Sequence, residues 1–382
     1  MHTPADRKTA CSGFTLVEML VVITIIGILV GFTAVYLGPV RVAARNAAIN
    51  VEIDQLEMSL ENYKNEYDDY PPTFIDVNLV AELGDTVPNR DRQNDARNAV
   101  IRHLRRAFPR YVPGRIRNAL PSPNPDGLPN VADGTGDTFD EFANDVYYYN
   151  MHPQPFTGTP TIDPRGFDPA SALVFWLGGL PEAPPGAGGQ WIPAGFHSDP
   201  EMPFKPGTPR NQPLFDYDPE RIAVGEHHCT IPWDSTTAPD PSMDPPNRFL
   251  RYYPDHVDAP YVYFRARRRG ANWQYCVEWD PEPKPVPYAY YHAIVNGNLD
   301  NICVAYRDPQ TPPYWREHEK YQIIAAGLDG QFGTLPPRIP PDDPSGGVAQ
   351  HRVTKTAVNF SEADFDNLAN FCTAATLEKE IE

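Results

Sequence analysis

Two residues near the start of this chain, Gly13 and Glu18, have types and spacing that could do chemistry. Gly13 stands directly before Phe14-Thr15-Leu16-Val17-Glu18, and no charged residue follows between Met19 and Val40. A secretory signal peptide places its small-residue cleavage site after the apolar run; Gly13 stands before it, so cutting there would remove a short polar leader and keep the run. Glu18 is a carboxylate at the edge of a segment apolar enough for lipid, where an unpaired charge is costly. Elsewhere the candidates thin out. His227-His228-Cys229 is the one dense group of nitrogen and sulfur ligands, and a transition metal there needs further ligands from elsewhere. Asp342-Asp343 and Asp364/Asp366 offer hard oxygens of the kind calcium takes. The sequence has no phosphate-binding glycine loop, no Gly-x-Ser-x-Gly elbow, no His-Glu-x-x-His and no Cys-x-x-Cys. No catalytic constellation can be assembled, which argues against an enzyme.

The element that must carry Gly13 and Glu18 is a helix. Residues 19–40, at about 1.5 Å per residue, reach across a hydrocarbon core of roughly 30 Å. Gly38-Pro39 predicts a kink or local unwinding. Beyond it Ile49, Ile53, Leu56, Leu60, Tyr63 and Tyr67 recur at steps of four and three, a narrow apolar stripe for packing against a globular part. Tyr70-Pro71-Pro72 ends the helix, so residues 14–69 predict one rod of about 80 Å.

This beginning resembles the prepilin signal of type IV pilins and type II secretion pseudopilins. The resemblance implies cleavage after Gly13 by a prepilin peptidase and methylation of Phe14. It also implies a role for Glu18 in assembly, by pairing with a neighbouring subunit's amino terminus. Tyr261 to Phe264, and Tyr321 running into Gly327-Leu328-Asp329-Gly330, resemble the end of the major pseudopilin domain. Asp366-Asn367-Leu368-Ala369-Asn370-Phe371 looks like the closing element of that family's calcium loop. By that resemblance Asp329, Asp366 and Asn367 are the metal ligands and calcium is the cofactor. The chain departs from the family by a long insertion and by a longer loop over residues 331–363.

Composition bounds the rest. The 382 residues carry a net charge of −18, which argues against nucleic acid as a main partner. The 45 prolines point to extended loops, and only Pro4 and Pro39 fall in the first seventy residues. Cys11 leaves with the leader, and Cys229, Cys276, Cys303 and Cys372 remain, an even number with three possible pairings. In the middle, residues 96–108 predict an amphipathic helix with Arg97, Arg102, Arg105 and Arg106 around it. Its bland reading is a solvated face; its sharper one is docking on anionic lipid or an acidic neighbour. Asp168-Pro169 caps a second, apolar helix that stops at Gly178-Gly179. Strands are expected at residues 261–264, 273–277, 289–295 and 321–325. Ser361-Glu362-Ala363-Asp364 reads as a capping box opening a final helix.

The expected architecture is therefore α+β and pilin-like, a long helical spine on a head with a small antiparallel sheet. Its parts are a leader (1–13), a transmembrane and assembly helix (14–70), an inserted proline-rich region (71–254) and a C-terminal β region (255–382). The expected function is a pseudopilin of a type II secretion-like system. Its expected partners are other pseudopilins, the prepilin peptidase and an inner-membrane secretion platform. It would be held by one span in the inner membrane with its head in the periplasm. The alternative is a type IV pilin or minor pilin with an enlarged adhesive head.

Overall fold

The computed structural model describes residues 15–73, 99–112, 142, 145–146, 169–182, 192–205, 207–224, 250–269, 272–279, 284–287, 290–292, 302–306, 320–333, 364–372 and 376–377. The architecture is α+β, an N-terminal helix followed by a head built on small antiparallel sheets. The chain forms two compact units, residues 1–45 and 46–382, and helix α1 (Leu16–Tyr67) supplies the start of the second. The helix passes through Pro39 without a break, so the unwinding expected there is absent.

In the second unit the helical stripe is the seed of the core. Ile49, Ile53, Leu56, Leu60 and Tyr63 are each at most 3% exposed, and Tyr67 packs half-buried beside them. Burying each such side chain is worth about 1.5–3 kcal/mol relative to leaving it in water. After α1 the backbone is strapped down by side chains from distant segments. The Tyr263 hydroxyl donates to the Pro71 carbonyl at 2.8 Å, and the Trp176 indole N–H donates to the Pro72 carbonyl at 3.1 Å. The prolines at 71 and 72 have no N–H of their own, so these carbonyls are what the turn offers the core.

Helix α2 (residues 99–107) lies with Val100, Ile101, His103 and Leu104 buried and Arg102, Arg105 and Arg106 exposed. His103 faces the core, where its Nε2 meets the Tyr63 hydroxyl at 2.8 Å and its ring packs on Trp176. Burial first, then Arg106, pushes its imidazole down to about 3, so it is a neutral core residue. Helix α3 (Pro169–Gly178) is buried at all ten positions, as its apolar density requires. It ends on Gly179, whose φ of 76° is the left-handed conformation of a helix terminus. A Cβ there would come within 2.3 Å of the Gly195 backbone, so glycine also permits that close approach.

The strands are short. In order they are β1 (Pro181–Glu182), β2 (Ile192–Pro193), β3 (Ile222–Val224), β4 (Leu250–Tyr252), β5 (Val262–Arg265), β6 (Arg267–Arg269), β7 (Asn272–Gln274), β8 (Cys276–Trp279), β9 (Lys284–Pro287), β10 (Tyr290–His292), β11 (Ile302–Val304), β12 (Tyr321–Ala325) and β13 (Leu368–Ala369). Five antiparallel pairs (β1–β2, β3–β4, β6–β7, β8–β9, β10–β11) accompany a three-stranded sheet in the order β13-β12-β5. In that sheet Tyr321 faces Arg265, Ile324 faces Val262, and Ala325 pairs with Leu368 on the other side. Helix α3 packs on β4 and β5, so residues from 71–254 and from 255–382 share one core.

Two expectations are corrected here. The single strand over residues 273–277 is instead two, β7 and β8, belonging to different hairpins, and Tyr275 between them is turned into the core at 3% exposure. The final helix expected from Ser361 does not run on past Asp364: Asp364 closes a 3-10 turn, residues 365–366 lead into β13, and helical backbone recurs only at Leu377 among the described residues. The reason is tertiary. The Asn370 side-chain oxygen accepts from the Ile323 N–H at 2.9 Å and the Asn370 backbone N–H donates to the Ile323 carbonyl at 3.1 Å, pairing this segment with β12 rather than with itself. Residues 361–363 lie outside the described residues.

Candidate functional site

Two places bear on function, one in each unit. The first is the start of α1. Thr15 is its N-cap: the Glu18 carboxylate accepts from the Thr15 N–H at 2.8 Å and from the Thr15 hydroxyl at 2.9 Å. The Glu18 N–H in turn donates to the Thr15 hydroxyl oxygen at 3.2 Å. This is a reciprocal capping box, and Thr15-Leu16-Val17-Glu18 has the spacing for it. Glu18 therefore satisfies donors at the helix start whatever else it does. Gly13 and Phe14 lie outside the described residues.

Behind Glu18 the described side chains of residues 16–32 are exposed all round, and the large apolar ones among them are 46–81% exposed. An apolar surface of that extent needs lipid or other chains to cover it. Among the described residues, however, no helix is long and apolar enough to cross a membrane. The described apolar stretch, residues 16–32, is about 26 Å of helix against the roughly 30 Å of a hydrocarbon core.

The second place is where β12 meets the turn before β13. Gly327 lies against Asp366 so closely that a Cβ on it would fall 1.8 Å from an Asp366 carboxylate oxygen. Asp366 Oδ1 is buried with no hydrogen-bond partner. Burial first, then the nearby Asp329 carboxylate, pushes the Asp366 carboxyl up to about 6. Asp329 itself is exposed and accepts from the Gln331 N–H at 2.8 Å. Two carboxylates crowded together, one with an orphaned oxygen, fit a hard cation. Asn367 has a different position. It is fully buried, its amide oxygen accepts from the Gly327 N–H at 3.2 Å, and its amide nitrogen donates to Tyr306 and to the Phe332 carbonyl. Its side chain holds the turn and is taken up by these partners. No group of three or more His, Cys, Asp or Glu side chains suited to a metal occurs among the described residues.

Sequence reasoning did not single out Glu52. It sits one residue from the buried Ile53 on α1 and accepts from both ends of the Arg221 guanidinium, with the Nη1–Oε1 distance 2.8 Å. The Tyr252 hydroxyl donates to it at 2.6 Å, and the Tyr261 hydroxyl donates to the other oxygen. Burial, with the Glu52 carboxylate beside them, raises the pKa of both hydroxyls, which stay protonated. A carboxylate interrupting an apolar stripe was the signal available. Cys303 is buried and Cys372 half-buried; Cys229, His227, His228, Asp342, Asp343 and the Cys276 side chain lie outside the described residues.

Residues 8–34 match the prokaryotic N-terminal methylation motif, the prepilin-type motif of type IV pilins and pseudopilins. No curated protein and no solved structure matches the chain.

Proposed function

We propose that this chain, a carrier of the prepilin-type methylation motif, is a pseudopilin: a structural subunit that polymerises from the inner membrane into a pseudopilus serving protein secretion. The observation that carries the reading is the motif lying directly on a capped helix whose apolar side chains have no cover of their own. A prepilin peptidase would cut after Gly13, α1 would stay in the membrane until extracted, and neighbouring subunits and lipid would cover residues 16–32 in turn. The Tyr321 strand ending in Gly-Leu-Asp-Gly favours the pseudopilin over an adhesive pilin. Mass spectrometry of the membrane-extracted protein should find a mature chain starting at Phe14 with a methylated amine. A mature start beyond residue 38 would sink the reading.

Calcium is the cation proposed for the Asp329–Asp366 pair, with backbone carbonyls completing a loose oxygen shell. It would join the two ends of the loop over residues 331–363, whose closure otherwise costs entropy. A cation bound only by the folded head raises stability by mass action. In detergent the full chain should show a thermal midpoint that rises in millimolar calcium and returns with chelator. Asp329→Ala combined with Asp366→Ala should abolish that rise; the same rise in the double variant would place the calcium effect elsewhere.

A further inference from the structure

The head is electrically polar along its central sheet. Strand β5 runs antiparallel to β12, so the turn before β5 and the turn after β12 share one end. They touch there: a Cβ on Gly330 would lie 3.8 Å from the Asp258 backbone nitrogen. That end exposes Asp255, Asp258 and Asp329, and no lysine or arginine is paired with them among the described residues; His256 stands 3.4 Å from Asp255.

The opposite end is where Arg265 pairs with Tyr321 and reaches Asp69 at 3.4 Å. Helix α2 is fixed at this end by Arg106, which meets Asp69 at 3.2 Å. Carboxylates are present here too, but Asp69 is taken by these arginines and Glu61 by the Tyr70 hydroxyl and Lys320. Glu66 and Asp68 are exposed. Arg102, Arg105 and Arg110 are exposed and have no partner among the described residues.

The two ends also differ in height on α1. The acidic turn over residues 253–260 joins β4 to β5, where Tyr252 and Tyr261 hold Glu52. The far end of α2 is at Tyr67 and Asp69, where Phe108 packs on the Tyr67 ring and Arg106 meets Asp69, about 22 Å further along the helix at ~1.5 Å per residue. Copies stacked with their helices parallel would therefore bring the arginine end of one against the acidic corner of another.

We propose that the exposed α2 arginines of one copy dock on the Asp255 and Asp258 corner of the next, a head-to-tail contact resting on the filament-subunit reading above. A contact between two different surfaces of identical chains leaves each copy with an unused surface for the next, and builds an open filament wherever the rotation between copies does not close a ring. A second copy is favoured over an anionic lipid surface because the chain supplies both complementary patches. Lipid would match the arginines and leave the acidic corner unused. Charge complementarity of this kind sets register and partner choice, and like charges brought together are strongly unfavourable.

The test uses the full chain expressed with its assembly machinery, with sheared filament yield as the readout. Arg102→Glu with Arg105→Glu should cut the yield roughly tenfold, and so should Asp255→Arg with Asp258→Arg. The fourfold variant carrying all four reversals should recover most of it, because the swapped ends again attract. Thermal midpoints of all variants check that the heads fold. Either pair assembling like the unaltered chain would overturn the proposal. So would a fourfold variant no better than the pairs, or reversed arginines that lose only anionic-vesicle binding. If these variants assemble normally while Glu18→Ala does not, only the docking contact is wrong. If the unaltered chain forms no filament, the filament reading fails and the contact with it.

Discussion

Glu18→Ala is expected to be cleaved at Gly13 and inserted like the unaltered chain, and to yield at least ~10-fold less filament, because a buried carboxylate and a buried amine lose far more apart than together. The capping box complicates the reading of that loss. Alanine removes two things at once, the negative charge and the acceptor that satisfies the Thr15 N–H and hydroxyl. Glu18→Gln separates them. A glutamine at the third helical position still closes a capping box, but it carries no charge for a neighbour's amino terminus. If charge pairing drives assembly, Gln should fail as badly as Ala. Restored filament yield with Gln would show that the helix start, rather than an intersubunit ion pair, is what Glu18 contributes. Equal yields from all three chains would leave Glu18 with no part in assembly.

What could be read from the sequence was periodic or local. The steps of four and three from Ile49 to Tyr63 are a helix face, and all five of those side chains are buried. Residues 321–325 appear unaltered as β12, because a β-branched and aromatic run bounded by turns has few other uses. The apolar run after Asp168 is the fully buried α3. Local chemistry failed where distant partners decide. The capping-box pattern at residues 361–364 does not carry a helix on past Asp364, because the Asn370 side chain bonds both the Ile323 N–H and Glu57 on α1 and draws residues 368–369 into β13. The same holds for the acidic turn: Gly327 and Asp366 are 39 positions apart, and only the fold shows that one must lack a side chain for the other to fit. Thr15 and Glu18, by contrast, carry the capping-box spacing openly in the sequence, and the structure closes that box.

Glu52 is the other residue that no local pattern could place, since its partners are 169, 200 and 209 positions away. It joins α1 to three segments of the head, at β3, β4 and the start of β5. Its side chain is 14% exposed and that of Arg221 is 20% exposed, so water cannot replace what either loses. Glu52→Ala would strand a guanidinium and two tyrosine hydroxyls, and removing one partner of a buried pair costs about 3 kcal/mol or more. The thermal midpoint of the full chain in detergent should fall by roughly 4–7 °C. Replacing both charges with apolar side chains of similar length, Glu52→Met with Arg221→Met, removes the stranded charge, and such double replacements are often close to neutral. The double variant should therefore be more stable than Glu52→Ala. Its stability should also exceed the sum expected from Glu52→Met and Arg221→Met measured singly, a positive coupling that a double-mutant cycle reads directly. Additive losses would mean that Glu52 and Arg221 act independently, and that the carboxylate does not bind α1 to the head.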